Sequence, residues 1–133
     1  MLTQDFCTFH NDHVHYANFS GIVLAAEEGR QIAAALGTGK AAILGNHGLL
    51  TVGETVEAAV GYFLSMEHLC KTQLVAEAAC KGTGGELTVI GEEEAKAVFA
   101  VAGSAKAGYF MGLPYFQVGE KEFGESTFLG RGV

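Results

Sequence analysis

At 133 residues the chain has room for one domain, and a chain of this size can bury roughly two thirds of its unfolded surface. Hydrophobic residues make up 49% and charged residues 17%, which excludes a disordered polypeptide. Eight Lys and Arg against fifteen Asp and Glu leave a formal charge of −7, which excludes nucleic acid and anionic membrane surfaces as main partners.

The first twenty residues, rich in His, Phe and Asn, read as irregular apart from a short strand near His13–Tyr16. Glu27 to Leu36 predicts a helix, with Ile32, Ala33 and Leu36 on one face and Gly37 in the left-handed position after it. Ala41 to Leu44 is a short apolar run and predicts a buried strand. Asn46-His47-Gly48 is a tight turn, and Leu49 to Val52 predicts the second strand of a hairpin. The longest helix is expected from Glu54 or Thr55 to Cys80, with Val56, Ala59, Val60, Phe63, Met66, Leu69, Cys70 and Leu74 at helical spacing. Lys81-Gly82-Thr83-Gly84-Gly85 ends it. A further helix is expected from Glu92 to Gly103, with three glutamates in its first turn to suit the helix dipole. Tyr109 to Val133 is aromatic and glycine-rich without a period, and its rings need cover from the chain itself or from a neighbouring subunit.

No apolar run approaches the roughly 20 residues of a membrane span, and the N-terminus lacks the pattern of a secretory leader. Three widely spaced cysteines are no disulfide framework. Cys70 and Cys80 read as small core residues, and a reducing, cytoplasmic setting is expected.

The stretch Gly45-Asn46-His47-Gly48-Leu49-Leu50-Thr51-Val52-Gly53, followed by Thr55-Val56-Glu57-Ala58-Ala59, resembles the second half of a class II aldolase/adducin domain. Glu67, Cys70, Gln73-Leu74 and Ala76-Glu77 fit the helix that follows in that family. Leu2-Thr3-Gln4-Asp5 and Phe19-Ser20-Gly21-Ile22-Val23-Leu24 fit the segment before it. The resemblance covers nearly the whole chain and implies an α/β/α layered sandwich with a small sheet, here as one domain over 1–133. It further implies a tetramer in most members. Enzymatic members hold a divalent metal, commonly zinc, with three histidines, and break or form a C–C bond next to a carbonyl. His47 matches the histidine of the Asn-His-Gly turn. The family's His-x-His pair and acid/base Glu lie before the point where this chain begins, so the chain is expected to be either a short, truncated member or a piece cut from a longer sequence.

His47 is therefore the first site candidate, as a metal ligand or an acid/base group lining a pocket, the other reading being a ring that only caps its own turn. His13 and His15, two apart on a strand, face the same side and can serve one ion in place of the missing pair. The matching family stretch is not a ligand segment, and a part-exposed strand is the alternative. Asp12 is a candidate second partner for one of these rings. Tyr16, Tyr62, Tyr109 and Tyr115 can each donate a proton to an oxyanion, with Tyr109 paired with His47 as a catalytic candidate, or can simply pack.

Two functions remain open. One is a lyase-like enzyme on a small carbonyl substrate, working by proton transfer with no cofactor or with zinc. The other is a non-catalytic interaction module of the adducin kind. Self-association into a homo-oligomer is expected in either case.

Overall fold

The hairpin around Asn46 is the centre of a three-stranded sheet. Ala41–Leu44 (β2) pairs antiparallel with Gly48–Thr51 (β3) and parallel with His13–Tyr16 (β1), in the order β1-β2-β3. The computed structural model describes residues 1–18 and 26–124, so the matching stretch Phe19–Leu24 and the end of the aromatic tail, with Phe128, lie outside the described residues. A parallel pair needs a crossover, and Ala26–Leu36 (α1) lies in it. The helix stops at Gly37, whose φ of +58° is open to glycine and whose N–H bonds the Ala33 carbonyl at 3.0 Å.

Val56–Thr83 (α2) is the longest element, 28 residues and about 42 Å. The Thr55 hydroxyl accepts from the Ala58 N–H at 3.1 Å and caps its start. Gly84 ends it in the left-handed region. Glu92–Ala102 (α3) follows as expected.

Side chains alternate across the sheet. Tyr16, Ala42 and Leu44 face α1 and pack with Val14, Ile32, Leu36 and Leu50. Ala41 faces the other way and joins Phe9, Ala58, Tyr62, Met66 and Leu69. Helices thus cover both faces, as an α/β/α sandwich requires. The buried thiol of this core is Cys7; Cys70 and Cys80, expected in the core, are half-buried. No helix among the described residues is long and apolar enough to cross a membrane.

Two elements differ from the sequence reading. Gln4–Phe9 is a 3₁₀ helix, held by burial of Cys7, Thr8 and Phe9 rather than by any local period. The larger correction is Ala105–Phe123 (α4), a 19-residue helix through a stretch read as aperiodic, with Pro114 inside it. Its glycines are the reason. Gly108 lies under the Tyr62 ring, and a Cβ on Gly112 would overlap the Glu57 carbonyl. Reciprocally, a Cβ on Gly61 would come within 2.7 Å of the Gly112 nitrogen. The bare backbones let α4 lie directly on α2, and that contact offsets the roughly 1 kcal/mol each interior glycine costs a helix.

Candidate functional site

The Asn-His-Gly turn sits where the two parallel strands end. The Gly45 N–H bonds the Tyr16 carbonyl at 2.8 Å, and the His47 N–H bonds Leu44 at 3.1 Å. Asn46 takes φ +54°, a conformation asparagine tolerates better than most residues. A Cβ on Gly45 would meet the Ala17 carbonyl oxygen at 3.1 Å, so the turn is pressed against the end of β1. His47 is thereby presented at the carboxyl edge of the parallel pair, where open α/β sheets place their ligands. Its ring is exposed and makes no hydrogen bond or ion pair among the described residues. It lines none of the clefts described below.

His13 and His15 do share a face of β1, as their spacing predicts, and both are exposed. They are level with Ala41 and Ile43 of β2. His13 is thus three ladder steps, roughly 10 Å, short of Leu44, where the turn begins. The His13 ring is tied in the other direction, its Nδ1 bonding the Phe9 carbonyl at 2.7 Å. Among the described residues no three His, Cys, Asp or Glu side chains come close enough to hold an ion together. A catalytic zinc typically takes three protein ligands, so His13, His15 and His47 do not by themselves form such a site.

Tyr109 stands on α4, its ring edge-on to Phe110 at 5.4 Å, and shares no described cleft with His47. Asp12 does not support a histidine ring. Its carboxylate holds the Lys40 ammonium at 2.9 Å.

That lysine is the feature the sequence reading missed. Lys40 precedes the apolar run of β2, and its side chain is 9% exposed. The ammonium donates to the Gly103 carbonyl at 2.6 Å and lies 4.9 Å from the Phe99 ring centre and 5.0 Å from that of Tyr62. The hint in the sequence was a single cation directly before a buried strand. Lys40, Asp12, Glu54 and Tyr62 line a polar cleft of about 330 Å³. Burial, with the Asp12 and Glu54 carboxylates adding to it, holds the Tyr62 hydroxyl above its ordinary range and keeps it protonated. That hydroxyl donates to the Ser104 carbonyl at 3.2 Å.

A second cleft, of about 440 Å³, opens between the sheet and α2 and includes His13. A third, of about 500 Å³, lies between α2 and α4 near Ser65, His68 and Tyr115.

Comparison with known proteins agrees with this architecture. Residues 1–74 match the family model "Class II Aldolase and Adducin N-terminal domain". The decarboxylase NovR of Streptomyces niveus is 50% identical over 80 residues, 60% of this chain and 30% of that one. Human gamma-adducin is 34% identical over 113 residues, 83% of this chain and 16% of its own length. In structure, the L-fuculose 1-phosphate aldolase of Glaciozyma antarctica superposes with a TM-score of 0.78 at 42% identity, over 93% of this chain and 44% of the aldolase. The chain therefore spans less than half the length of these relatives. Through its matched turn, its layers and its sequence, the chain belongs to the class II aldolase and adducin family.

Proposed function

We propose that this chain forms the His47-bearing part of a class II aldolase-like enzyme that acts on a small carbonyl compound. The observation that carries this reading is the free imidazole on the family's turn, held rigidly at the carboxyl edge of β1 and β2. A neutral imidazole there can take a proton from the carbon next to a carbonyl, the electron pair moving onto the carbonyl oxygen, and can return it to the same carbon or to a neighbouring oxygen. Enolisation uses that step directly; in retro-aldol cleavage the imidazole instead takes the proton of the hydroxyl two carbons from the carbonyl, the C–C bond breaking to give the same kind of enolate, and a 3-oxo acid that loses carbon dioxide leaves an enolate that the protonated ring can reprotonate. Relatives named as a decarboxylase, as an oxygenase and synthase of prenylated aromatic acids, and as an aldolase support an enzyme, and they differ in chemistry. Enclosure of the site is assigned to polypeptide beyond the described residues, from a second copy or a further segment. The apolar residues exposed on α2 and α4, among them Leu74, Val75, Phe110 and Val118, support such contacts.

The test is deuterium exchange at the carbon next to the carbonyl of dihydroxyacetone and of pyruvate, followed by proton NMR in D₂O, alongside metal analysis of the purified protein. Exchange above the buffer rate that falls at least 100-fold in His47→Ala supports the reading, a loss within the range a positioned general base supplies. Exchange equal in both proteins refutes the role of His47.

A second reading is the interaction module. It draws on the adducins, whose match reaches 83% of the chain and so extends past the residues that carry the turn. Absence of exchange and of metal, with a defined oligomer by light scattering, favours it.

A further inference from the structure

The third cleft is bounded by the 3₁₀ helix at Gln4–Phe9, by α2 and by α4. Positions 61, 65 and 68 fall on one face of α2, and Met111 and Tyr115 share a face of α4. The space of about 500 Å³ lies within the size range of small-molecule sites. Gly61, Leu64 and Met111 give it an apolar lining.

Its most telling polar residue is Thr8, which is 3% exposed and whose hydroxyl bonds to no other group among the described residues. A buried hydroxyl without a partner is costly, so native structures rarely keep one. Every side-chain oxygen or nitrogen sealed from solvent among the described residues has a partner, so the Thr8 hydroxyl is not sealed. Thr8 lines this cleft and neither of the other two, so its hydroxyl opens here. The Ser65 and Tyr115 hydroxyls and the His68 ring line the same space, and they too make no hydrogen bond or ion pair among the described residues. Each hydroxyl both donates and accepts, and an imidazole in its neutral form does one with each nitrogen.

Charge narrows the ligand. No Lys or Arg lines the cleft, whereas Asp5 and Glu67 do, so an anion meets only like charge. Glu67 is already met by the Lys71 ammonium at 2.6 Å, and Asp5 is exposed. One solvated carboxylate offers an organic cation little, as with surface ion pairs generally. An ammonium also only donates, which leaves the hydroxyl protons of Thr8, Ser65 and Tyr115 nothing to meet. We propose that this cleft binds an uncharged cyclic polyol. Its hydroxyls donate to and accept from the hydroxyls of Thr8 and Ser65, two neighbouring ones can donate together to Asp5, and its C–H face lies against Leu64 and Met111. The cleft contains neither His47 nor any residue of its turn, so this inference does not rest on the catalytic reading.

The experiment is titration of the ¹⁵N-labelled chain with myo-inositol, methyl α-D-glucopyranoside and methyl α-D-galactopyranoside, followed by amide shifts. Cyclohexanol, cyclohexylammonium and inositol 1-phosphate serve as the apolar, cationic and anionic counterparts. The expected result is saturable binding of at least one polyol at about 1–10 mM, an affinity that ligand-efficiency limits allow for a molecule of this size. The shifts should centre on Thr8, Ser65 and Tyr115. Cyclohexanol and cyclohexylammonium should bind at least about fivefold more weakly, the net worth of one hydrogen bond. The phosphate should not bind. Thr8→Val keeps the shape of the side chain and removes the hydroxyl; it should weaken polyol binding about fivefold and leave Tm at or above the parent value, because the hydroxyl has no partner in the protein to lose. Thr8→Ser should bind as the parent does, and Ser65→Ala, on α2, should show the same loss as Thr8→Val. The proposal is overturned if none of the polyols saturates, if the cation or the phosphate binds as tightly as the best polyol, or if Thr8→Val and Ser65→Ala both bind like the parent. A lowered Tm in Thr8→Val also overturns it, since the hydroxyl would then be held within the protein. None of these readouts involves turnover, so any of these failures leaves the His47 reading where it stands.

Discussion

Replacing Lys40 by Met tests how the C-terminal helices are fastened to the sheet. Methionine keeps most of the apolar stem and removes only the ammonium. Three interactions go with it: the ion pair to Asp12 at 2.9 Å, the hydrogen bond to the Gly103 carbonyl at 2.6 Å, and the approach to the Tyr62 and Phe99 rings. Breaking a buried pair from one side costs about 3–5 kcal/mol because it strands the partner. Asp12 is 22% exposed, so water recovers part of its solvation and the lower end applies. The expected loss is about 3 kcal/mol, or roughly 10 °C in Tm for a chain of this length. Urea unfolding followed by circular dichroism reads it as a shift in midpoint at constant slope. Asp12→Asn in the Lys40→Met background should cost about 1–2 kcal/mol less than the same change in the parent, because the two groups are coupled. A Lys40→Met protein within about 0.5 kcal/mol of the parent would show that the ammonium is no fastening, since that is the range of ordinary surface substitutions.

The α2–α4 contact gives a paired prediction. Gly112→Ala forces a methyl onto the Glu57 carbonyl and should destabilise by about 2–3 kcal/mol, whereas Gly82→Ala, with open space around it, should stabilise by about 0.5–1 kcal/mol; thermal unfolding of both checks the packing. The Tyr62 hydroxyl has a raised pKa in the folded protein, so its contribution to stability is complete below the ordinary tyrosine value of about 10 and is lost as pH rises through the folded value. Stability measured from pH 9 to 11 should fall more steeply in the parent than in Tyr62→Phe. The half-buried Cys70 thiol, raised by burial and then by Glu67, should react with iodoacetamide at pH 8 more slowly than free cysteine, and equal rates would contradict the assignment.

What could be read in advance followed from local rules. Gly37, Thr55 and the run of glutamates at 92–94 mark helix ends through backbone chemistry that depends on near neighbours only. The period-two spacing of His13 and His15 correctly put both rings on one face, but which cleft that face meets was not in the spacing. The Asn-His-Gly turn marked the family and the place of the free imidazole.

Tertiary contact decided the rest. A stretch with glycine at 108, 112 and 119 and proline at 114 carries every local sign of a broken chain, yet it is helical because α2 supplies a surface only a bare backbone can approach. Lys40 is buried because Asp12, some thirty residues away in sequence, and the Gly103 carbonyl, beyond the long helix, arrive at the same point. Such positions are set by groups distant along the chain. Their energies appear only when the layers close, so no local pattern encodes them.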